Sequence, residues 1–288
     1  MTDVHCVADV RAVLGEGPVW VAREQALYWV DINGRKLFRL GDKGAVSTWD
    51  TPFRVGSIVP RASGGFIAGT DQGIAAIDPE ANRFEILLEP EKDLPTNRFN
   101  DGKVDRRGRF WAGSMDDEER QASGRLYCVD QALNAAVVDR DYKVTNGPAF
   151  SPSGAVMYEN DSARQITYAF DIDGDGVACN RRTFLQFNAG DGYPDGMTVD
   201  ADGCLWITFW DGWCLRRYSP AGEWLETVKL PVQRPTSCAF GGRDMDRLYV
   251  TSARRDFDEA ALAMQPNAGA LLMLMPGVRG IPDLPFAG

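Results

Sequence analysis

Apolar residues in this chain fall in short runs, each closed by a turn-forming cluster, and the paired runs recur. Gly196-Met197-Thr198-Val199-Asp200 leads through the turn Ala201-Asp202-Gly203 into Cys204-Leu205-Trp206-Ile207-Thr208. Gly102-Lys103-Val104-Asp105 leads through Arg106-Arg107-Gly108 into Arg109-Phe110-Trp111-Ala112-Gly113 in the same way. Runs this short, bounded by glycine-bearing turns, predict β-hairpins. Further copies open at Gly17, Gly56 and Gly147, with a weaker one at Ser237, so successive openings lie 39, 46, 45, 49 and 41 residues apart. A third strand follows in five of the units, at 36–40, 73–78, 125–130, 165–171 and 214–218. Several strands in a period of about 40–45 residues are the pattern of a β-propeller blade.

The expected fold is therefore all-β: a six-bladed propeller in which residues 1–288 form a single domain. The aromatic in each second strand is expected to pack between blades. An open ring would leave strand edges unpaired. The strand-like segment 4–10 is expected to close it as the outer strand of the last blade, beside 270–275. The Gly- and Pro-rich residues after Pro276 are expected to form a surface tail.

Composition narrows the functional classes. The chain has 31 Lys and Arg against 41 Asp and Glu, a formal charge of −10, and no basic run. Such a balance repels phosphate backbones and anionic headgroups, so neither nucleic acid nor membrane is an expected partner. The N-terminal segment lacks the pattern of a secretory signal, and the most apolar run, 268–275, is too short to span a bilayer. Six scattered cysteines without a C-x-x-C pair read as reduced thiols, pointing to a cytoplasmic protein. No long apolar stripe marks an outer blade face, which predicts a monomer or weak oligomer. A single histidine, His5, and no G-x-S-x-G leave little room for histidine-based catalysis.

Aligning the repeats picks out the residue before each opening glycine: Glu16, Asp101, Asn146 and Asp195. Equivalent positions in a closed ring meet near its axis, so these oxygen-bearing side chains are expected to converge at one mouth. The plainer alternative is that Asp-Gly and Asn-Gly merely serve as turn dipeptides. Carboxylates gathered in low dielectric repel unless a cation lies between them, and an all-oxygen set suits Ca2+, Mg2+ or Mn2+, while Zn2+ and Fe2+ also accept carboxylates. A second acidic motif, Asp171-Ile172-Asp173-Gly174-Asp175-Gly176, matches half of an EF-hand loop. Its twelfth position is Arg182 where a bidentate Glu belongs, so it reads as a hairpin turn.

Several strings resemble the gluconolactonase/regucalcin-like family, in order along nearly the whole chain: Leu14-Gly15-Glu16-Gly17-Pro18, Asn97-Arg98-Phe99-Asn100-Asp101-Gly102-Lys103, Asn146-Gly147, Pro194-Asp195-Gly196-Met197 and Arg234-Pro235-Thr236. The resemblance implies a six-bladed propeller holding one divalent cation (Fe2+, Zn2+, Ca2+, Mn2+ or Mg2+) on Glu16, Asn146 and Asp195. It places substrate contacts at Arg98, Asn100 and Glu118, the last within an acidic stretch, 116–119, where any of several residues can face the pocket. A plainer role for Arg98 is a salt bridge at the rim. The sequence departs from the family at Pro148, after Asn146-Gly147, and at Glu159-Asn160, which is expected near the rim and bears on substrate preference.

The implied activity is hydrolysis of a sugar-acid lactone, such as xylono-1,4- or 1,5-lactone or gluconolactone, to the aldonic acid. The cation polarises the carbonyl and Asp195 acts as general base, with Asp101 in reserve. The alternatives are another metal-dependent esterase or organophosphate hydrolase on the same fold, or a calcium-binding regulatory propeller without catalysis.

Overall fold

A computed structural model describes residues 3–288, so only Met1 and Thr2 of the expected domain lie outside the described residues. Its strands form six four-stranded antiparallel sheets arranged as a ring of blades, a six-bladed β-propeller. The innermost strands of blades 1 to 6 are Gly15–Val21, Val55–Pro60, Asn97–Val104, Thr145–Phe150, Tyr193–Val199 and Pro235–Gly241. Each packs against the inner strands of both neighbours, so the six together line the axis. All of Gly15–Val21, Val55–Pro60 and Thr145–Phe150 is buried, whereas outer strands such as Val46–Asp50 and Trp224–Lys229 are largely exposed. Burial therefore falls from axis to rim, as the apolar content of the repeats requires. Blade 6 takes its outer strand from the other end of the chain: Val4–Ala8 pairs antiparallel with Leu271–Leu274.

Aromatic side chains of the second strands fill the spaces between blades. Trp29, Trp111 and Trp206 are almost fully buried, each removing apolar surface worth about 2–3 kcal/mol from water. A buried indole N–H needs an acceptor. Asp105 accepts from Trp111 Nε1 at 2.9 Å, and Asp200 accepts from Trp206 Nε1 at the same distance. The same two carboxylates also take turn amides, from Arg107 and Arg109 in blade 3 and from Asp202 and Cys204 in blade 5. These repeated acids are thus structural. So is the EF-hand look-alike: it is the hairpin between Ile166–Ile172 and Ala178–Gln186, with Asp173 Oδ1 accepting from the amides of Asp175 and Val177.

The C-terminal residues run largely along the surface, as expected, but they are packed down rather than free. They cross one end of the ring, where Asp283 and Leu284 border the axial channel. Phe286 is fully buried among Val59, Val104 and Phe110, and its backbone bonds to Pro60 and Ala62 of blade 2. One phenylalanine supplies enough apolar surface to pin an otherwise polar segment. With that end covered, the larger opening lies at the other end of the axis.

Candidate active site

The inner strand of every blade slips register at one place: between Glu16 and Val19, Val55 and Ser57, Phe99 and Gly102, Asn146 and Ala149, Pro194 and Met197, and Pro235 and Cys238. A bulge of this kind breaks the alternation of the strand and re-aims a side chain. In five of the six blades the repeat glycine sits at this slip, with Ser237 in its place in blade 6, and the close packing favours a small residue there. Gly147 has φ +93°, and a Cβ at Gly196 would lie 2.1 Å from Ser237 Oγ in the next blade.

Glu16, Asn146 and Asp195 line one cavity of about 420 Å3 at this mouth, together with Arg98 and Asn100. Three blades thus supply the three expected oxygen donors. Asp101 does not join them: it borders the narrow channel nearer the tail, with Oδ1 accepting from Gly102 N and Oδ2 from Gly147 N. Its two oxygens tie blade 3 to blade 4, and burial pushes its pKa up to about 6.

The electrostatics favour a cation. Burial, then the charge of Asp101, raises Glu16 well above the usual carboxylate range; burial, then Glu16 and Asp101, does the same for Asp195. Glu16 accepts a hydrogen bond from Gly17 N, and no ion pair engages either carboxylate among the described residues. Two buried acids that repel each other beside an amide oxygen are a donor set that a hard divalent ion fits. Among the described residues no three His, Cys, Asp or Glu side chains gather closely enough to hold a metal by themselves, and the candidate donors at this mouth are two carboxylates and the Asn146 amide.

Arg98 is buried, not a rim residue. Its Nε donates to Asp117 Oδ1 at 2.8 Å and its Nη1 to Asn100 Oδ1 at 2.6 Å. Asn100 Nδ2 donates to Asn146 Oδ1 at 2.9 Å, and Asn146 Nδ2 to Ser162 Oγ at 2.9 Å. The acidic stretch 116–119 divides its roles. Asp116 accepts from the amides of Arg120 and Gln121, and Asp117 bridges Arg54 and Arg98. Burial alone would raise Asp117, but the hydrogen bonds and charges of Arg54 and Arg98 outweigh it and hold the acid below its usual range. Glu118 points away, 57% exposed and paired with Arg120; Glu119 is the glutamate that lines the cavity.

Glu159 and Asn160 are also not at the rim. They lie within the second strand Val156–Asp161 and are fully buried, with Asn160 Nδ2 donating to the Asp195 carbonyl at 2.6 Å. Pro148 follows a cis Gly147 peptide and leaves Asn146 lining the cavity. Sequence reasoning overlooked Lys143, Ser162, Tyr193 and Trp210, which also line the wall. The repeat register held a signal for them: they sit at or beside the hairpin ends that flank the bulges, Tyr193 directly opposite Trp210.

A ring of six blades with a polar, bulge-built axial mouth defines the class. Residues 14–254 match the family described as the SMP-30/Gluconolactonase/LRE-like region, and the chain belongs to that family. It is 39% identical over 287 residues to a 6-deoxy-6-sulfogluconolactonase of Pseudomonas putida, covering 99% of each chain. It is 37% identical to regucalcin of Gallus gallus, covering 99% of this chain and 98% of that one. Among solved structures it resembles a calcium-binding protein, regucalcin, from Agrobacterium tumefaciens, with a TM-score of 0.95 at 26% identity over 100% of this chain and 98% of that one.

Proposed function

We propose that this protein hydrolyses the lactone of a sugar acid, a pentono- or hexonolactone such as xylonolactone or gluconolactone, with the help of one divalent cation. The observation that carries this reading is the convergence of Glu16, Asn146 and Asp195, from three separate blades, on one cavity. The name of the Pseudomonas relative, a lactonase of a sulfonated gluconolactone, supports the reaction class.

Glu16, Asn146 and Asp195 would hold the cation. When bound, it supplies positive charge toward the carbonyl oxygen as that oxygen becomes anionic. Asp195 takes the proton of the attacking water on a carboxylate oxygen and returns it to the ring oxygen as the ester bond breaks. Asn160 holds the Asp195 backbone while this happens. Arg98 has Nη2 left for a sugar hydroxyl once Asp117, Asn100 and the Phe99 carbonyl have taken its other donors, and Glu119 accepts from hydroxyls at the opening. All six cysteines are free, which supports a reducing, cytoplasmic setting.

The test is hydrolysis of gluconolactone and xylonolactone by chelator-stripped protein titrated with each divalent ion, read against the spontaneous rate. Activity restored by at least one ion supports the reading, and the most effective ion identifies the metal. A second reading is favoured by the description of the Agrobacterium relative as calcium-binding: the same oxygens hold calcium in a protein that catalyses nothing. Tight calcium binding without turnover of either lactone would establish it instead.

A further inference from the structure

Asn146 offers a cation its oxygen only if its amide is the right way round, and an amide turned over presents a donor instead. The structure contains a chain of contacts that decides this from a distance. Arg98 is a donor at every nitrogen. The Asn100 atom 2.6 Å from its Nη1 must therefore be Oδ1. Asn100 Nδ2 then faces the carbonyl of Thr145 at 2.7 Å and the side chain of Asn146 at 2.9 Å. The Asn146 atom meeting a donor must be its oxygen, which leaves its Nδ2 to Ser162 Oγ. Two amides are thereby oriented by one guanidinium, with the Thr145 carbonyl, an acceptor only, favouring the same setting of Asn100.

What holds that guanidinium is Asp117. Its Oδ1 takes Arg98 Nε at 2.8 Å, while Arg54 from blade 2 grips the same carboxylate through both terminal nitrogens, at 3.1 and 2.9 Å. Arg54 is itself anchored within its blade, with Nε on Asp71 Oδ2 at 3.1 Å and its backbone amide on Asp71 Oδ1 at 3.2 Å. A forked pair of this kind fixes direction as well as distance. The line Asp71–Arg54–Asp117–Arg98–Asn100–Asn146 thus runs from blade 2 through blade 3 to blade 4.

We propose that Asp117 is a positioning residue for the cation site: by fixing Arg98 it sets the Asn100 amide, and through it turns the Asn146 oxygen toward the cavity. Asp117 reaches neither substrate nor cation. The inference rests on the reading of Glu16, Asn146 and Asp195 as cation ligands. It adds that blade 2, which contributes no ligand of its own, acts on the site through Arg54.

The test is the dissociation constant of the effective divalent ion, measured by calorimetry on chelator-stripped protein, for the parent chain and for Asp117→Asn, Asp117→Glu and Arg54→Met. Asn keeps the shape of Asp117 but loses the charge that grips both arginines. Loss of a partner that orients a ligand typically weakens metal binding about 10–100-fold, and that is the expectation for Asp117→Asn. Asp117→Glu should recover part of the loss, and Arg54→Met should show a smaller loss of the same sign. Thermal unfolding of the metal-free variants, run alongside, separates a loss of ion affinity from a loss of fold: a merely structural role lowers the melting temperature and leaves the dissociation constant of the folded protein where it was. Ion affinity of Asp117→Asn within about twofold of the parent overturns the proposal while leaving the cation site intact. A parent chain that binds no divalent ion overturns both.

Discussion

Blades 1, 4 and 5 and blades 2 and 6 carry the same bulge in the same strand, yet only the first group brings a candidate oxygen donor to the mouth. At the equivalent position blade 2 has Val55, packed in an apolar cluster with Ile58, Phe66 and Ala68, and blade 6 has Thr236. Thr236 Oγ1 is spent on the Gly15 carbonyl at 2.5 Å and on Thr251 at 2.8 Å. The bulge is therefore a property of the architecture, and chemistry is a decision made one residue at a time on top of it. Blade 3 shows the intermediate case: Asp101 has the acid, but two backbone amides claim it as an inter-blade clamp. Six equal positions become an asymmetric mouth, with the candidate donors on blades 1, 4 and 5.

The sharpest break in that comparison is removal of the acids that blades 1 and 5 contribute. Asp195→Asn, assayed with divalent ion in excess, should lower kcat for lactone hydrolysis by roughly 10²–10⁴-fold, the range for a lost general base. Glu16→Gln should raise the ion concentration needed for half-maximal activity, with a smaller loss once the ion saturates. Full activity in both variants would remove the assignment.

The converse is to write the chemistry of blade 5 into blade 2. Val55 is 1% exposed, so Val55→Asp buries a carboxylate with no partner and should cost about 3–5 kcal/mol in urea unfolding, with no gain in ion affinity. If the variant instead binds a second ion at little cost, the bulge alone makes a site, and the packing around Val55 does not decide where one forms.

A gentler probe uses pH. Glu16, Asp195 and Glu159 all hold their protons in the folded chain above the usual range for carboxylates, in each case mainly through burial. The native state therefore binds more protons than the unfolded one above about pH 4, and stability of the metal-free protein should fall as pH rises from there. A bound ion removes the repulsion at Glu16 and Asp195, so it should raise the melting temperature more at pH 8 than at pH 5. Glu159 is different, since both its oxygens are buried with no hydrogen-bond partner among the described residues and it lines no part of the cavity. Glu159→Gln should flatten the pH dependence of the metal-free protein without changing the increment that the ion adds.

The same contrast explains what could be read from the sequence. Glycine spacing and paired apolar runs betray the blades, because each blade repeats one local solution and needs only nearby residues to do so. That Glu16, Asn146 and Asp195 face the mouth was visible for the same reason, since they share a repeated position, but that position also picked out Asp101 and only the resemblance set it apart. The roles of Asp101, Asp117 and Asn160 were not, since each depends on a partner in another blade. Asp101 and Gly147 are 46 residues apart, and Arg54 and Asp117 are 63. Nor did the Gly- and Pro-rich composition of the tail reveal that Phe286 would find a pocket between blades.

The smallest effect tests a residue role that came from resemblance alone. That resemblance placed a substrate contact at Glu118, but the loop turns Glu118 to solvent and leaves Glu119 on the cavity. The Glu118–Arg120 pair is exposed, and such pairs contribute little. Glu118→Gln should therefore change kcat/KM for any lactone by no more than about twofold, as expected of a surface substitution that touches no special feature. Glu119→Gln should raise KM by about fivefold, since it weakens a charge-assisted hydrogen bond to a sugar hydroxyl. The opposite ordering, a large loss at Glu118 and none at Glu119, would mean that the loop turns over when substrate binds. The acidic stretch would then belong with the mobile chemistry of the mouth rather than with the fixed frame that Asp116 and Asp117 build beside it.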